Sequence, residues 1–375
     1  MRRSLFVALL FSVVAGPSCV DVARSRAETD VTIGQSSTAA MDVSVEDGLA
    51  CVRAVSDGVL ELRAQAPTLR VRVTRKTAGD TFHLRLRNAL ADATLEARDV
   101  ESGAALAALG EPFGDAEPND PTDKAWRVSL PASGARVIEL RVHAPDEADE
   151  SPYRFAVLAD VQEAVVSVRD VYARMREDRA LRFVLFSGDL TQRGSREELV
   201  EFEARERELP IPLYATLGNH ELGSGRVYFQ EMFGRASFHF EFRGVAFSLL
   251  DSGSATIDPL VYDWLSEWLR AAEGRVHVVS THIPPFDPVG FRSGAFASRA
   301  EAAKLVAMLA AGHVDLSVFG HVHSYYAFSN AGVPAYISGG GGAIPERMDG
   351  IGRHYLVVEV DPRVGVRTVG VTRVD

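Results

Sequence analysis

The stretch Arg182–Thr191, Arg-Phe-Val-Leu-Phe-Ser-Gly-Asp-Leu-Thr, constrains this chain more than any other. Its apolar run from Phe183 to Phe186, closed by Ser187-Gly188, predicts a buried strand of a parallel sheet. Asp189 is then delivered to the C-terminal strand end, where open α/β sheets bind their ligands. Four other runs end in the same way. Arg154–Ala159 leads into Asp160-Val161-Gln162, Leu213–Leu217 into Gly218-Asn219-His220-Glu221, Val276–Thr281 into His282, and Leu316–Phe319 into Gly320-His321-Val322-His323. Five strand-like runs that present Asp, Asn or His at one end point to a metal centre, with Asp189 as its hub.

From Tyr153 onward strands alternate with helices, the pattern of a layered α/β domain. One helix carries Val165, Val168, Tyr172 and Met175 on a single face. A second opens with the capping box Ser195 to Glu198 and turns Leu199 and Phe202 inward. A third starts at Asp258-Pro259 and packs Leu260, Trp264, Leu265 and Trp268. A fourth repeats the capping-box spacing at Ser298 and Glu301, with Leu305, Val306 and Leu309 buried. Phe238–Leu250 reads as a hairpin turning at Arg243-Gly244, and His354–Val371 as further strands.

Residues 30–145 have another texture. Leu60–Leu62, Leu69–Val73, Phe82–Leu86 and Val137–Val142 are short period-2 runs separated by Gly, Asp, Asn and Pro clusters such as Gly114–Pro121. They predict a smaller all-β, sandwich-like domain, joined to residues 153–375 by an acidic, Pro-containing linker at 146–152. Residues 1–28 read as an export signal. Met1-Arg2-Arg3 is positive, Leu5–Ala15 is apolar but too short to span a bilayer, and small residues follow at Gly16 and Ser18. Cys19 stands where a bacterial lipoprotein is lipidated, but Gly16 replaces the usual Leu of that signal. Lipid anchoring through Cys19 and simple secretion both stay open, and the expected location is periplasmic, extracellular or at the cell envelope. With Cys19 removed or lipidated, Cys51 is left without a partner, so no disulfide framework and no Cys-based zinc site is expected, and Cys51 is expected to be a small buried residue. The net charge of -11 gives no strong signal for nucleic acid, whose phosphates need a basic face.

The blocks Asp160…Gly188-Asp189…Gly218-Asn219-His220-Glu221…His282…Gly320-His321-Val322-His323 resemble, in order, those of the calcineurin-like metallophosphoesterase superfamily. The resemblance covers about Tyr153 to the C-terminus. It implies a four-layer α/β/β/α sandwich of two mixed sheets with two metal ions at one edge. Carried over by position, one metal would be held by Asp160, Gln162, Asp189 and His323, and the other by Asp189, Asn219, His282 and His321. The reaction implied is hydrolysis of a phosphomonoester or phosphodiester by a hydroxide that bridges the metals. His220 resembles the residue that stabilises the transition state or protonates the leaving oxygen, with Glu221 placed to orient it. The rival two-metal pattern, His-X-His-X-Asp-His, is missing.

One block departs from the family. The first reads Asp-X-Gln where Asp-X-His is usual, and Gln192 stands where the purple acid phosphatase branch has Tyr. An amide oxygen in place of imidazole favours Mn or Fe over Zn, with Zn still possible. The alternative reading is a catalytically weak or inactive protein of the same fold, acting as a binding or scaffold module at the cell surface. Gly339–Gly342 lacks the Lys-Ser/Thr of a phosphate loop and reads as a tight turn near the site rim. The loop Ile283–Ala297, with Phe286, Phe291, Phe296 and Arg292, is a candidate cover for the substrate, with Arg299 nearby. Tyr325 and Tyr326 are candidate pocket-lining residues. Substrate identity and oligomeric state are not written in the sequence.

Overall fold

A computed structural model describes residues 22–113, 120–131, 136–290, 294–346 and 351–374. The expected signal core with Cys19, most of the Gly114–Pro121 cluster, and Phe291 and Arg292 lie outside the described residues.

Two sheets build the α/β unit that starts at Tyr153. In the first, Leu213–Thr216, Leu181–Ser187 and Tyr153–Leu158 run parallel, and His354–Asp361 and Gly365–Arg373 follow antiparallel. In the second, Val245–Leu250, Val276–Thr281, Leu316–Phe319 and Val333–Ser338 are parallel, flanked by antiparallel Phe238–Phe242 and Tyr325–Asn330. The sheets meet face to face through aromatics that read in sequence only as apolar runs. Phe183 contacts the Phe247 ring edge-on at 5.4 Å and Tyr214 meets Phe240 at 5.4 Å, geometries that favour the ring quadrupoles. Helices cover both outer faces. Val171, Tyr172, Met175, Leu199 and Phe202 pack on the first sheet, and Leu265, Leu305 and Leu309 on the second. The four α/β/β/α layers follow. Because the central strands of both sheets are parallel within each sheet, the loops that carry Asp160, Asp189, Asn219, His282 and His321 all leave from C-terminal strand ends.

Most helix signals hold, with two differences. Ser195 and Glu198 form a reciprocal capping box. Ser298 accepts from Glu301 N, but the Glu301 carboxylate reaches across to Thr256 Oγ1 and Ile257 N instead of back to Ser298. It ties two elements together and leaves the box one-sided. In Pro259–Ala271 the buried face is Val261, Tyr262, Leu265 and Leu269. Leu260, Trp264 and Trp268 are only partly buried, because Trp268 lies flat on the His239 ring at the edge of the sheet. The hairpin turns at Arg243 (φ 49°) and Gly244 (φ 79°), the paired left-handed residues of a tight two-residue loop.

Residues 35–143 form a six-stranded and a five-stranded sheet that share a core of Val71, Val73, Phe82, Leu84, Trp126, Ile138 and Leu140. Leu69–Arg75 alternates as its sequence predicts, with Val71 and Val73 buried and Arg70 and Arg72 exposed. This sandwich seats on the α/β unit at its strand starts, away from the loops that carry Asp160, Asp189 and Asn219. Asn88 caps the first residue of the strand Leu213–Thr216, accepting from Leu213 N and donating to Leu213 O, each at 2.8 Å. Arg63 and Glu206 form a buried ion pair at 2.8 Å, Arg53 pairs with Glu203, and Arg182 pairs with Asp92 and Asp146. Cys51 is buried, as expected, with Sγ on Met232 O.

Residues 22–28, within the stretch read from sequence as the export signal, begin the helix Val22–Thr32, which lies on the α/β unit ahead of the sandwich. Arg26 reaches Asp251 at 2.6 Å with both side chains buried, and Asp30 accepts from Ala236 N and Ser237 N. Charged residues at this density carry no apolar stripe, so the helix gives no periodic signal in the sequence. No helix among the described residues is long and apolar enough to cross a membrane.

Under the second sheet Ser248 Oγ lies 3.0 Å from His239 Nδ1 and 2.8 Å from His277 Nε2. Burial pushes His239 down to about 4 and His277 down to about 3, so both rings stay neutral in the fold. In the unfolded chain they take up protons below about pH 6.5. Their stability contribution is therefore complete above that pH and lost as pH falls toward 3. The pair's share of the unfolding free energy should be about 2–4 kcal/mol smaller at pH 5 than at pH 7, read in urea titrations as the difference in pH slope between the parent and His277→Gln.

Candidate metal centre

Tight turns at the strand ends hold the candidate ligands, and several are strained. Asp160 (φ 62°), Gln162 (φ 47°), Asp189 (φ 59°) and His321 (φ 70°) all adopt left-handed backbone, a conformation that non-glycine residues keep only where the surroundings enforce it. The glycines beside them make room. A Cβ on Gly218 would lie 2.1 Å from Asp189 Oδ1, and one on Gly320 would lie 2.7 Å from Asp160 Oδ2. The Gly339–Gly342 turn closes the edge from behind, with Gly341 N on Ala159 O and Ala343 N on Asp160 O.

The expected ligands converge. Ligand atoms of Asp189, His282 and His321 lie within 4.8 Å of one another, and so do those of Asp160, Asp189 and His323. Asp189 belongs to both groups, as a bridging hub must. Asn219 joins the first group, with Oδ1 3.0 Å from His282 Nε2, which is itself 3.2 Å from Asp189 Oδ1. Backbone carbonyls set the tautomers. His282 Nδ1 bonds to Ser187 O at 2.8 Å and His323 Nδ1 to Ile344 O at 2.7 Å, so each Nε2 faces the centre. Gln162 is buried there too, with Nε2 2.8 Å from Asp189 Oδ2 and 3.0 Å from His323 Nε2. The amide therefore meets the centre through its nitrogen, unlike the oxygen ligand expected from sequence.

The electrostatics call for positive charge. Burial, and then the neighbouring Asp189 charge, push Asp160 well above the ordinary carboxylate range against the pull of His282. Asp160 Oδ1 is buried without a hydrogen-bond partner. Burial also acts to raise Asp189, but the charge and hydrogen bond of His282, together with His220, hold it below the usual range. His282 is raised to about 9; burial opposes this, and the Asp189 carboxylate overcomes it. An imidazolium proton is thus doing the work of a cation among these acceptors. Carboxylates, imidazoles and an amide oxygen suit divalent first-row metals, and the orphaned Asp160 oxygen with the converging lone pairs fits two of them.

His220 stands beside this cluster, partly exposed. Its Nδ1 bonds to Gln192 O at 2.7 Å and its backbone N donates to Asp189 Oδ1, leaving Nε2 3.9 Å from Asp189 Oδ2. Glu221 does not orient this ring. Its buried carboxylate accepts from Asp189 N, Gly218 N and Thr191 N, lacing the hub loop to the next strand end. Burial and the Asp189 charge raise it to about 7. The carbonyl clamps at Ser187, Ile344 and Gln192 were invisible in the sequence, because a backbone oxygen carries no residue signature. Tyr325 packs on Tyr336 and His354, Tyr326 lies against the Phe319–Val322 cluster, and Phe296 joins the helix core. Phe286 is the exposed aromatic of the described loop.

The calcineurin-like phosphoesterase family model matches residues 153–325, and this part of the chain is a calcineurin-like phosphoesterase domain. No curated protein matches the chain in sequence. Among solved structures, purple acid phosphatase PPD1 from yellow lupin (Lupinus luteus) seeds aligns with a TM-score of 0.51 at 13% identity, over 83% of this chain and 71% of the lupin chain. That overlap is wider than the α/β unit and so reaches into the sandwich; at such identity the likeness is one of fold. A dimetal phosphatase from Danio rerio aligns at TM-score 0.46 and 14% identity, over 60% of this chain and 99% of its own. GAP50, the inner-membrane-complex anchor of Plasmodium, aligns at 0.46 and 14%, over 60% and 85%.

Proposed function

We propose that the protein hydrolyses a phosphomonoester or phosphodiester at a dinuclear metal centre held by Asp160, Gln162, Asp189, Asn219, His282, His321 and His323. The observation that carries this reading is the buried cluster of lone pairs around Asp189, flanked by an accessible imidazole. When bound, two divalent cations would supply the Lewis acidity that activates water and neutralises phosphate charge. The chain's own residues do the rest. Asp189 spans both positions. Ser187 O and Ile344 O hold the imidazoles of His282 and His323 with their lone pairs inward. His220, its Nδ1 proton fixed on Gln192 O, presents Nε2 to the reacting phosphate, where a protonated ring donates to the leaving oxygen. We further propose that the reaction takes place outside the cytoplasm, a reading supported by the positive and apolar N-terminal residues. The charge of -11 makes small or neutral-bodied esters better candidates than nucleic acid.

The test is hydrolysis of a chromogenic phosphodiester and the matching monoester by the exported form of the chain, with Mn²⁺, Fe²⁺ and Zn²⁺ compared. Metal-dependent turnover that disappears in Asn219→Ala is expected, and the diester-to-monoester ratio then narrows the substrate class. The scaffold alternative draws on one observation, the Gln162 amide nitrogen set among the ligands. Turnover absent with every metal, together with fewer than two bound ions per chain, would favour it.

A further inference from the structure

We propose that the two metal positions are unequal, and that Gln162 is a built-in stopper for the first of them. The inference rests on the dinuclear reading above and concerns how the centre loads. His323 Nδ1 is committed as a donor to Ile344 O, so Nε2 carries a lone pair. Asp189 Oδ2 is also an acceptor. The side-chain atom that lies 3.0 Å from one and 2.8 Å from the other must be a donor to both. Only the amide nitrogen of Gln162 meets that demand, and its two hydrogens satisfy both partners. A neutral NH₂ group thus joins the two ligands that the first metal would join.

The second position presents its amide the other way round, with the Asn219 oxygen turned inward. Asn219 Oδ1 and Asp189 Oδ1 lie 3.0 and 3.2 Å from His282 Nε2, with His321 alongside. The backbone of Gln162 is pinned by its N–H on Asp189 O at 3.3 Å and by its left-handed turn. The side chain therefore opens the first position by turning its amide over, a broad two-fold rotation, which brings Oε1 to the metal at the loss of both hydrogen bonds. The usual His at this place has no donor to withdraw once its tautomer is set. The resting protein then keeps one ion firmly and takes the second reversibly, about 10–100-fold more weakly, the size of effect that a changed partner of a metal ligand commonly has.

The full exported chain, stripped of metal, is titrated with Mn²⁺ alone in a calorimeter, and its metal content is measured after desalting. Two separated steps are expected, with close to one ion retained. Gln162→His should merge the steps and retain close to two ions. Gln162→Leu, which offers neither donor nor ligand, should lose the second step and keep the first. Two equally tight ions in the unaltered protein, or an unchanged two-step curve in Gln162→His, would overturn the stopper while leaving the dinuclear reading intact. No tight ion at all would sink the dinuclear reading itself. Substrate turnover enters none of these measurements.

Discussion

Asp189→Asn is expected to strip both metals in a single substitution and to bring hydrolysis down to the protein-free blank. Asp189 is the residue common to the two ligand groups, and only an ionised carboxylate can offer negative charge to two cations at once. Asparagine keeps the size of the side chain, so His220 N and the loop around it retain an oxygen acceptor in place of Asp189 Oδ1. Metal analysis after desalting should find neither ion, while the near-ultraviolet circular dichroism stays that of the parent. A variant that still holds one ion tightly would mean that the centre is not bridged by Asp189. By contrast, Asn219→Ala removes one neutral ligand from one position, and it should weaken that position alone.

The second large effect belongs to His220. His220→Ala should lower kcat by about 10²–10⁴-fold with metal content unchanged, since the ring touches Asp189 no closer than 3.9 Å. The dependence on leaving group is the sharper readout. If Nε2 protonates the departing oxygen, the loss will be large for alkyl phosphates, whose alkoxides leave badly, and small for nitrophenyl phosphates, which leave unaided. An equal loss for both would reassign His220 to holding the phosphate oxygens. A loss of metal would make it a structural part of the centre. A scaffold protein would respond to none of these changes.

How much of this was readable beforehand depends on what kind of atom does the work. Asp189, His282, His321 and His323 could be found because strand ends place them at a fixed offset from apolar runs, and side-chain type advertises metal affinity. The layered fold was legible for the same reason: period-2 and period-3.6 patterns report burial directly. Backbone groups advertise nothing. The carbonyls that fix three imidazoles, and the N–H groups that Glu221 gathers, come from residues of no special type. Glu221 was assigned to the wrong partner because sequence adjacency to His220 suggested contact, whereas the turn points the two side chains in different directions. Which end of the Gln162 amide turns inward was not legible, since Asp189 Oδ2 and the tautomer of His323, set by Ile344, bear on it. The helix Val22–Thr32 escaped because buried ion pairs, unlike apolar stripes, have no period.

That helix bears on the order in which the molecule can be assembled. It leaves the ribosome ahead of every strand, yet Arg26 finds Asp251 225 positions later and Asp30 finds Gln230 after 200. At 11 residues it is shorter than the ~12–15 that an isolated helix needs in water, so it depends on partners supplied late in the chain. Its seating is then the closing act of folding, a clasp drawn over a finished body from the opposite end of the polypeptide. A truncation starting at Ser151 would release not a free-standing hydrolase but one missing its clasp, with Asp251 left without its arginine and Leu213 without the Asn88 cap. Inactivity of such a fragment would therefore speak to assembly and not to any part played by the sandwich in chemistry.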